Sequence, residues 1–575
     1  KARVISLLLF INFIVTYELS NPNVLCKHVP RTAMTNSNCS NFTAEILKRE
    51  QEYHRQGWWS GERLQDRYEK IVATRGDDLA VVDNLGQRLT HSELWEASGM
   101  LAEKLENQGI CRGEVVIIFL PNRVEWQVAM LGILRLGGIP ANLPTRIDAD
   151  NLRYVSELTG TRAIITTELH RSTPTGEIAL SAAELCEHRI DVLLVDENAQ
   201  NWETFPEKPL PSATDVSGLD HIMITSSTTG RPKAVMHSVD TLAALNRAFT
   251  ERFSLGAQDA IFMASPLGHS VGTIHGARLA LYNGAPLVLQ DVWNPDEALT
   301  MIAENECVFT AAATPFLKDL VDADWKGEQA KLSSMLWFLC GGAQVPPALM
   351  EKAKQEFPHT FVTLLWGMTE GGLTTATRET PAEKTLTTAG IGLPGLEMRI
   401  LDPEGKSLET GIIGELAMRG PGVFIGYYGQ DDLYKSLLTA DGFFRTGDLA
   451  TLDETGHLRI TGRLKDLIIR GGVNISPVPI EDALSSHPQV SRVAVIGFPD
   501  ERMGELLCAV IIPKDEIPTL KNLNNFLREK GLPKYHCPEL LRIVEKFPTT
   551  PAGKIRKAEL QKQIIAEATM QNKAA

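Results

Sequence analysis

EVVIIFLP (114–121) is followed, two residues later, by VEWQVAMLGILRLGG (124–138). The first stretch is a short, almost unbroken apolar run of strand length. The second is too long for a strand and closes on two glycines, which predicts a buried helix stopped by glycine. The same kind of short apolar run recurs as RAIITT (162–167), DVLLVD (191–196), HIMIT (221–225) and APLVLQ (285–290), with helical patterns between them. Strands that are apolar on every residue, rather than on alternate ones, suit a parallel sheet covered on both faces. Strand and helix in alternation predict an α/β architecture.

The texture changes past residue 400. MRILDPEGKSLETGIIGELAMRGPG (398–422) and LATLDETGHLRITGR (449–463) are glycine-punctuated hairpins, which predict a small β-rich subdomain. After Gly462 an α/β texture resumes, with VSRVAVIGFPD (490–500) and LLCAVIIP (506–513). A boundary at 463–466 and a C-terminal domain of roughly a hundred residues follow. NWETFPEKPLPSATDVSG (201–218) is a Pro- and Ser-rich loop.

The chain has 575 residues, enough for several domains at ~150 residues each. Its net charge of −14 argues against a nucleic-acid surface, while leaving room for a local basic funnel toward a small anion. Eight cysteines are scattered without a CxxC pair, so neither a zinc site nor a disulfide framework is predicted, and neutral thiols in a reducing compartment are expected. VISLLLFINFIV (4–15) is apolar but shorter than the ~18 residues a membrane span needs, and no small-residue cleavage site follows it. The expectation is a cytoplasmic protein with no stable membrane insertion. Translation is expected to start at Met34, residues 1–33 being an upstream, non-native segment.

Four patches carry chemistry. In ITSSTTGRPKAV (224–235) a strand runs into Thr225, Ser226, Ser227, Thr228, Thr229, Gly230 and then Lys233. Hydroxyls and backbone amides in a tight loop can donate to phosphate oxygens, and a lysine adds a point charge. It is not a Walker A loop, since its lysine follows proline and precedes alanine. LLWGMTEGG (364–372) offers Trp366 as a plane for a base, Gly367 beside it, Thr369 as a phosphate donor and Glu370 as a hard oxygen ligand suited to Mg²⁺. FFRTGDLATLDETGHLRITGRLKDLIIRGGVNISP (443–477) brings Asp448, a candidate acceptor for two ribose hydroxyls, and Arg463, Lys465 and Asp466 at the boundary. PTTPAGKIRK (548–557) sets Lys554 on a turn bounded by Pro and Gly. Each patch alone also reads as an ordinary polar turn or solvated hairpin.

In this order and spacing the four patches resemble the adenylate-forming superfamily: acyl-CoA synthetases, aryl-acid ligases, firefly-type luciferases and peptide-synthetase adenylation domains. The resemblance covers roughly 45–565 and takes in GERLQDRYEK (61–70), ASPLGHSVGTIHG (264–276), ATPFLKDL (313–320), FLCGGAQVP (338–346) and GIGLPG (390–395). It is nearest to short- and medium-chain fatty acyl-CoA or cyclohexanecarboxylate-CoA ligases. It implies a large domain (45–462) of two parallel-type α/β subdomains and a small β-barrel-like one, then a mobile α+β domain (466–575) on a hinge at 463–466.

The resemblance also implies a reaction. A carboxylate attacks the α-phosphate of ATP, releasing pyrophosphate, and the acyl-adenylate passes to the thiol of CoA. Loop 225–233 would hold the β and γ phosphates and Glu370 the Mg²⁺. Thr369 would touch the α-phosphate, and Gly341, Gly342 and Ala343 would let backbone approach the adenine, with Trp366 against its face. Asp448 and Arg463 would take the ribose, and Lys554 would bridge α-phosphate and carboxylate. A rotation about Lys465 would then exchange Lys554 for Gly471 and Gly472, leaving room for a pantetheine arm. His269, Ser270, Val271 and Gly272 fall where the acyl group would lie. Aryl ligases for dihydroxybenzoate generally have Asn after that histidine, and Ser270 favours an apolar tail. Two alternatives stay open: an aryl-acid ligase handing its product to a separate carrier protein, and a weakly catalytic acyl-adenylate binder. The latter is suggested by Ser227 and Ala234, which stand where the family usually has glycine.

Overall fold

The computed structural model describes residues 41–195, 200–204, 207–211, 218–225, 231–323, 332–342, 345–549 and 555–574. Residues 1–33, Ser226–Gly230, Ala343 and Lys554 lie outside these, so the expectations placed on them are not taken further in structural terms.

The expected strands form. EVVIIFLP yields Val115–Phe119, RAIITT yields Thr161–Thr166, DVLLVD yields Asp191–Val195, HIMIT yields Leu219–Thr225 and APLVLQ yields Leu287–Leu289. The helix Val124–Leu136 ends at Gly137, whose φ of 82° is the left-handed cap that glycine supplies.

These strands fall into two mixed sheets. One runs, by described strands, Gly426–Tyr427, Lys233–Ser238, Leu219–Thr225, Ile139–Asn142, Val115–Phe119, Thr161–Thr166, Asp191–Val195, Gln200–Glu203. Its centre is parallel, while its two ends are antiparallel. The second sheet has nine described strands and a parallel core running from Leu79–Asp83 through Leu287–Leu289, Ile261–Met263, Phe309–Ala313 and Trp337–Gly341 to Phe361–Gly367.

Alternate residues of each strand face different cores, which is why unbroken apolar runs were required. Val116 and Ile118 share an inner core with Ile261, Met263, Leu287 and Leu289 of the other sheet, and the helices His91–Asn107 and Val124–Leu136 contribute to it. Val115, Ile117 and Phe119 face a separate outer core, as do Phe262 and Val288 on the far side of the second sheet.

The predicted hairpins pair as an antiparallel sheet of Glu397–Leu401, Gly414–Arg419, Phe444–Leu452 and Leu458–Arg463. The barrel-like subdomain takes the form of this open sheet, its core completed by Met223, Val235 and Trp366 from the two large sheets. Sheet membership changes just past Arg463. A single 3-10 turn, Leu464–Asp466, leads to Ile468–Arg470, which pairs with Val473–Ile475 and Gly504–Pro513 in a last sheet. That sheet has its own core on each face, one under Val478–Ser485 and Leu520–Glu529, the other under the C-terminal helix. Among the described residues no helix is long and apolar enough to cross a membrane, and no group of three or more His, Cys, Asp or Glu gathers as a metal site.

Candidate active site

The phosphate-loop candidate spans a hairpin. Leu219–Thr225 and Lys233–Ser238 are antiparallel, with Thr225 opposite Lys233. A Walker A loop joins a strand to a helix, so this loop differs from it in architecture as well as in motif. The Lys233 ammonium sits 4.8 Å from the centroid of the Tyr427 ring. Tyr427 lies on the strand Gly426–Tyr427, which pairs with Lys233–Ser238.

Tyr427 in turn donates its hydroxyl to Glu370 Oε1 at 2.7 Å. Glu370 is only 8% exposed. Burial raises its pKa above the ordinary carboxylate value, opposed by the Tyr427 hydrogen bond and the charges of Lys233 and Arg463. Its neighbour Thr369 donates its hydroxyl to Ser270 Oγ at 3.1 Å, and the Thr369 carbonyl accepts from His237 Nε2 at 2.7 Å. Thr369 and Glu370 thus sit on a turn tied to three other segments of the chain.

Asp448 stands opposite Arg463 in the last hairpin of the small sheet, and Arg463 Nε meets Asp448 Oδ1 at 2.8 Å. The other carboxylate oxygen accepts from Trp366 Nε1 at 2.9 Å. Trp366 is buried in the small-sheet core, with its indole N–H turned to Asp448. Lys465, two residues past Arg463, has its ammonium pKa lowered by burial and by Arg463, and feels Asp466, Asp448 and Lys233 as well. These charges therefore share one electrostatic environment.

Gly341 ends the strand Trp337–Gly341, and a Cβ there would come within 2.3 Å of the Leu365 carbonyl. Gly342 has φ +79° and open space where a Cβ would point. Gly367, at the end of the neighbouring strand, is exposed. His269 caps the short helix Ser270–Gly272, its ring accepting weakly from the Val271 amide. A π-helical turn, Thr273–Arg278, follows, a distortion often found near functional sites. Gly471 and Gly472 lie elsewhere, on the tip of the hairpin Ile468–Arg470 to Val473–Ile475.

Residues 68–428 match the AMP-binding enzyme family, and 479–554 match the AMP-binding enzyme C-terminal domain. The chain belongs to the AMP-binding enzyme family. It is 32% identical over 531 residues to the medium-chain fatty-acid–CoA ligase of Escherichia coli K12, covering 90% of this chain and 93% of that one. It is 28% identical over 520 residues to the 2,3-dihydroxybenzoate-AMP ligase of Bacillus subtilis 168, covering 89% and 95%. The ATP-bound MatB structure from Rhodopseudomonas palustris superposes with a TM-score of 0.76 at 26% identity, covering 88% of this chain and 99% of MatB. The protein is an adenylate-forming acid ligase, of the AMP-forming acid–thiol type.

Two residues bonded to the candidate site, Tyr427 and His237, were not legible in the sequence, and neither was the Thr369 partner of the expected Ser270. Tyr427 lies in VFIGYYGQ (423–430), His237 in the strand KAVMHS (233–238), and the Ser270 hydroxyl accepts from Thr369. The one available signal was a histidine directly after the apolar run AVM (234–236).

Proposed function

We propose that this protein activates an apolar, fatty or alicyclic, carboxylic acid as its adenylate and transfers the acyl group to CoA. The observation that carries the proposal is the Thr369–Ser270 hydrogen bond. It joins the segment expected at the α-phosphate to the segment expected at the acid, so the two reactants would meet there.

Carboxylate and phosphate are both anionic, and two unit charges ~4 Å apart repel by about 4 kcal/mol at an effective dielectric of 20. Catalysis here is therefore cation and amide placement together with positioning, without a covalent enzyme intermediate. Lys233 and loop 225–233 would meet the β and γ phosphates. Asp448, oriented by Arg463 and Trp366, would accept the ribose hydroxyls. Gly342, open on its Cβ side, would let the adenine lie against backbone. Lys554 would bridge α-phosphate and carboxylate.

Glu370 is a single hard carboxylate beside the phosphate segments, which fits Mg²⁺, an ion that keeps several waters and takes its remaining ligands from phosphates. Glu370 would hold Mg²⁺, whose charge would offset that of the phosphates. Around the acid, Val271 and Gly272 offer no polar anchor for a ring hydroxyl, which supports an apolar tail. The similarity to a medium-chain fatty-acid–CoA ligase points the same way.

The test is pyrophosphate release with a panel of straight-chain, alicyclic and hydroxylated aromatic acids, with and without CoA. A burst without CoA and turnover only with it, for apolar acids, is the expected result. Turnover confined to hydroxybenzoates, or no release with any acid, would overturn the proposal.

A further inference from the structure

Thr369 and Glu370 occupy the turn that follows the strand Phe361–Gly367. The turn closes on itself through Gly371 N–H to the Met368 carbonyl and Met368 N–H to the Gly372 carbonyl. From outside, Phe424 N–H holds the Glu370 carbonyl at 2.9 Å, and Ser270 accepts from the Thr369 hydroxyl. A further tie, beside the Tyr427 hydroxyl on Glu370 Oε1, is His237, whose ring Nε2 lies 2.7 Å from the Thr369 carbonyl. His237 is fully buried, near the end of the strand that leaves the phosphate-loop hairpin four residues after Lys233.

We propose that His237 is a positioning residue for adenylation: its Nε2–H, bonded to the Thr369 carbonyl, fixes the Thr369–Glu370 turn relative to the strand that carries Lys233. The proposal rests on the adenylation reading above. A carbonyl oxygen only accepts, so Nε2 carries the ring proton. Nδ1 lies 3.2 Å from the Thr241 hydroxyl, at the start of the helix Val239–Phe253. The imidazole thus spans two elements, with one nitrogen toward each. Burial, with the charge of Arg278 in the same sense, pushes the ring's pKa down to about 4, so it stays neutral near pH 7 and keeps one donor and one acceptor nitrogen. Opposite it in register stands His221, also buried with its pKa driven well down, so no positive imidazole competes for the carbonyl.

A merely space-filling histidine would be replaced well by leucine. A positioning histidine would be replaced better by glutamine, whose amide can still donate to a carbonyl. The measurements are acid-dependent ATP–pyrophosphate exchange, thioester formation from supplied acyl-adenylate, melting temperature, and amide hydrogen exchange over 367–372. His237→Leu is expected to lower kcat of the exchange by about 30-fold, the scale of a small misplacement of reacting groups, with KM for ATP moved by less than about threefold. Thioester formation and melting temperature should hold, and amide exchange over 367–372 should quicken. His237→Gln should restore most of the lost rate. Equal losses in both variants together with a lowered melting temperature would overturn the proposal, as would a wild-type rate in His237→Leu. If the wild type exchanges pyrophosphate with no acid, the adenylation reading fails by itself. The amide-exchange arm then still decides the positioning claim, since unchanged protection over 367–372 in His237→Leu sinks it.

Discussion

Asp448 shows how a single residue is prepared before substrate arrives. Its two oxygens are held by Arg463 and Trp366, and it is 5% exposed. Asp448→Asn keeps the shape and loses the charge, and hydrogen bonds to charged groups contribute about 1.5–3 kcal/mol, so KM for ATP should rise roughly 10- to 100-fold. Steady-state kinetics at saturating acid would read this, and an unchanged KM would remove Asp448 from the ribose. The two adjacent glycines should separate from each other. Gly341→Ala pushes a methyl into the Leu365 carbonyl of the paired strand and should destabilise by about 1–3 kcal/mol. Gly342→Ala meets nothing within 4 Å and costs only about 1–2 kcal/mol for its left-handed φ, yet its methyl stands where the adenine is proposed to lie. Denaturant melts and ATP titration of the pair should give opposite rankings. At this scale residue type alone left each patch open to an ordinary polar turn, and only the order of the four patches, through the resemblance, gave them a phosphate reading. What the sequence hid was partnership: the indole N–H of Trp366 bonds Asp448, a contact made across 82 residues of chain.

Strands and helices with strong periodicity were readable because burial on both faces leaves few residue choices along them. The antiparallel edges were less so, since Leu219–Thr225 is as apolar as its parallel neighbours and nothing local marks the direction of Lys233–Ser238. The π-helical turn Thr273–Arg278 was invisible for a related reason: GTIHGAR (272–278) has no composition that distinguishes it from an α-helical turn. That turn buries His275, stacked on Phe249 at 4.2 Å, with no hydrogen-bond partner for Nδ1 among the described residues. Burial drives its pKa down to about 3, with the charge of His269 in the same direction. Above about pH 6.5 the ring is neutral folded and unfolded, and contributes no pH dependence. Below that, the unfolded chain takes a proton that the folded one refuses, so stability falls on acidification until the pH reaches the folded value. His275→Phe should raise the melting temperature and flatten its decline between pH 6.5 and 4. His221 and His237 would retain their share of that decline. An acid limb as steep as the wild type's would show that His275 does not set it.

For the whole molecule, the change of sheet just past Arg463 was legible as a change of texture. A motion of the last sheet against the rest would not be written in any local pattern. The link between them includes the 3-10 turn Leu464–Asp466 and a hydrogen bond from Ser476 Oγ to the Thr461 carbonyl. In the second half-reaction that the resemblance implies, the last domain would turn about Lys465 and bring Gly471 and Gly472 to the thiol's route. Both glycines also have another reason to be there. Arg470 and Val473 are paired, and the two residues between them have φ of 57° and 83°, the backbone of a type I′ hairpin turn. Turn geometry and passage for a pantetheine arm are thus confounded in the wild type, and Gly471→Asn separates them. Asparagine suits the first position of a type I′ turn, and the atom its Cβ would press, Met503 Cε at 2.6 Å, is the free end of a flexible side chain. The hairpin should therefore fold. If the glycines serve only the turn, both half-reactions should run at wild-type rates. If they clear a path after domain rotation, pyrophosphate exchange should persist while CoA thioester formation falls by roughly tenfold or more, a penalty on the scale of one misfitted group in a channel. The second outcome is the expected one, because the reading above gives the two glycines a role only after domain rotation. Equal loss in both half-reactions would instead mean that the hairpin tip supports the first step.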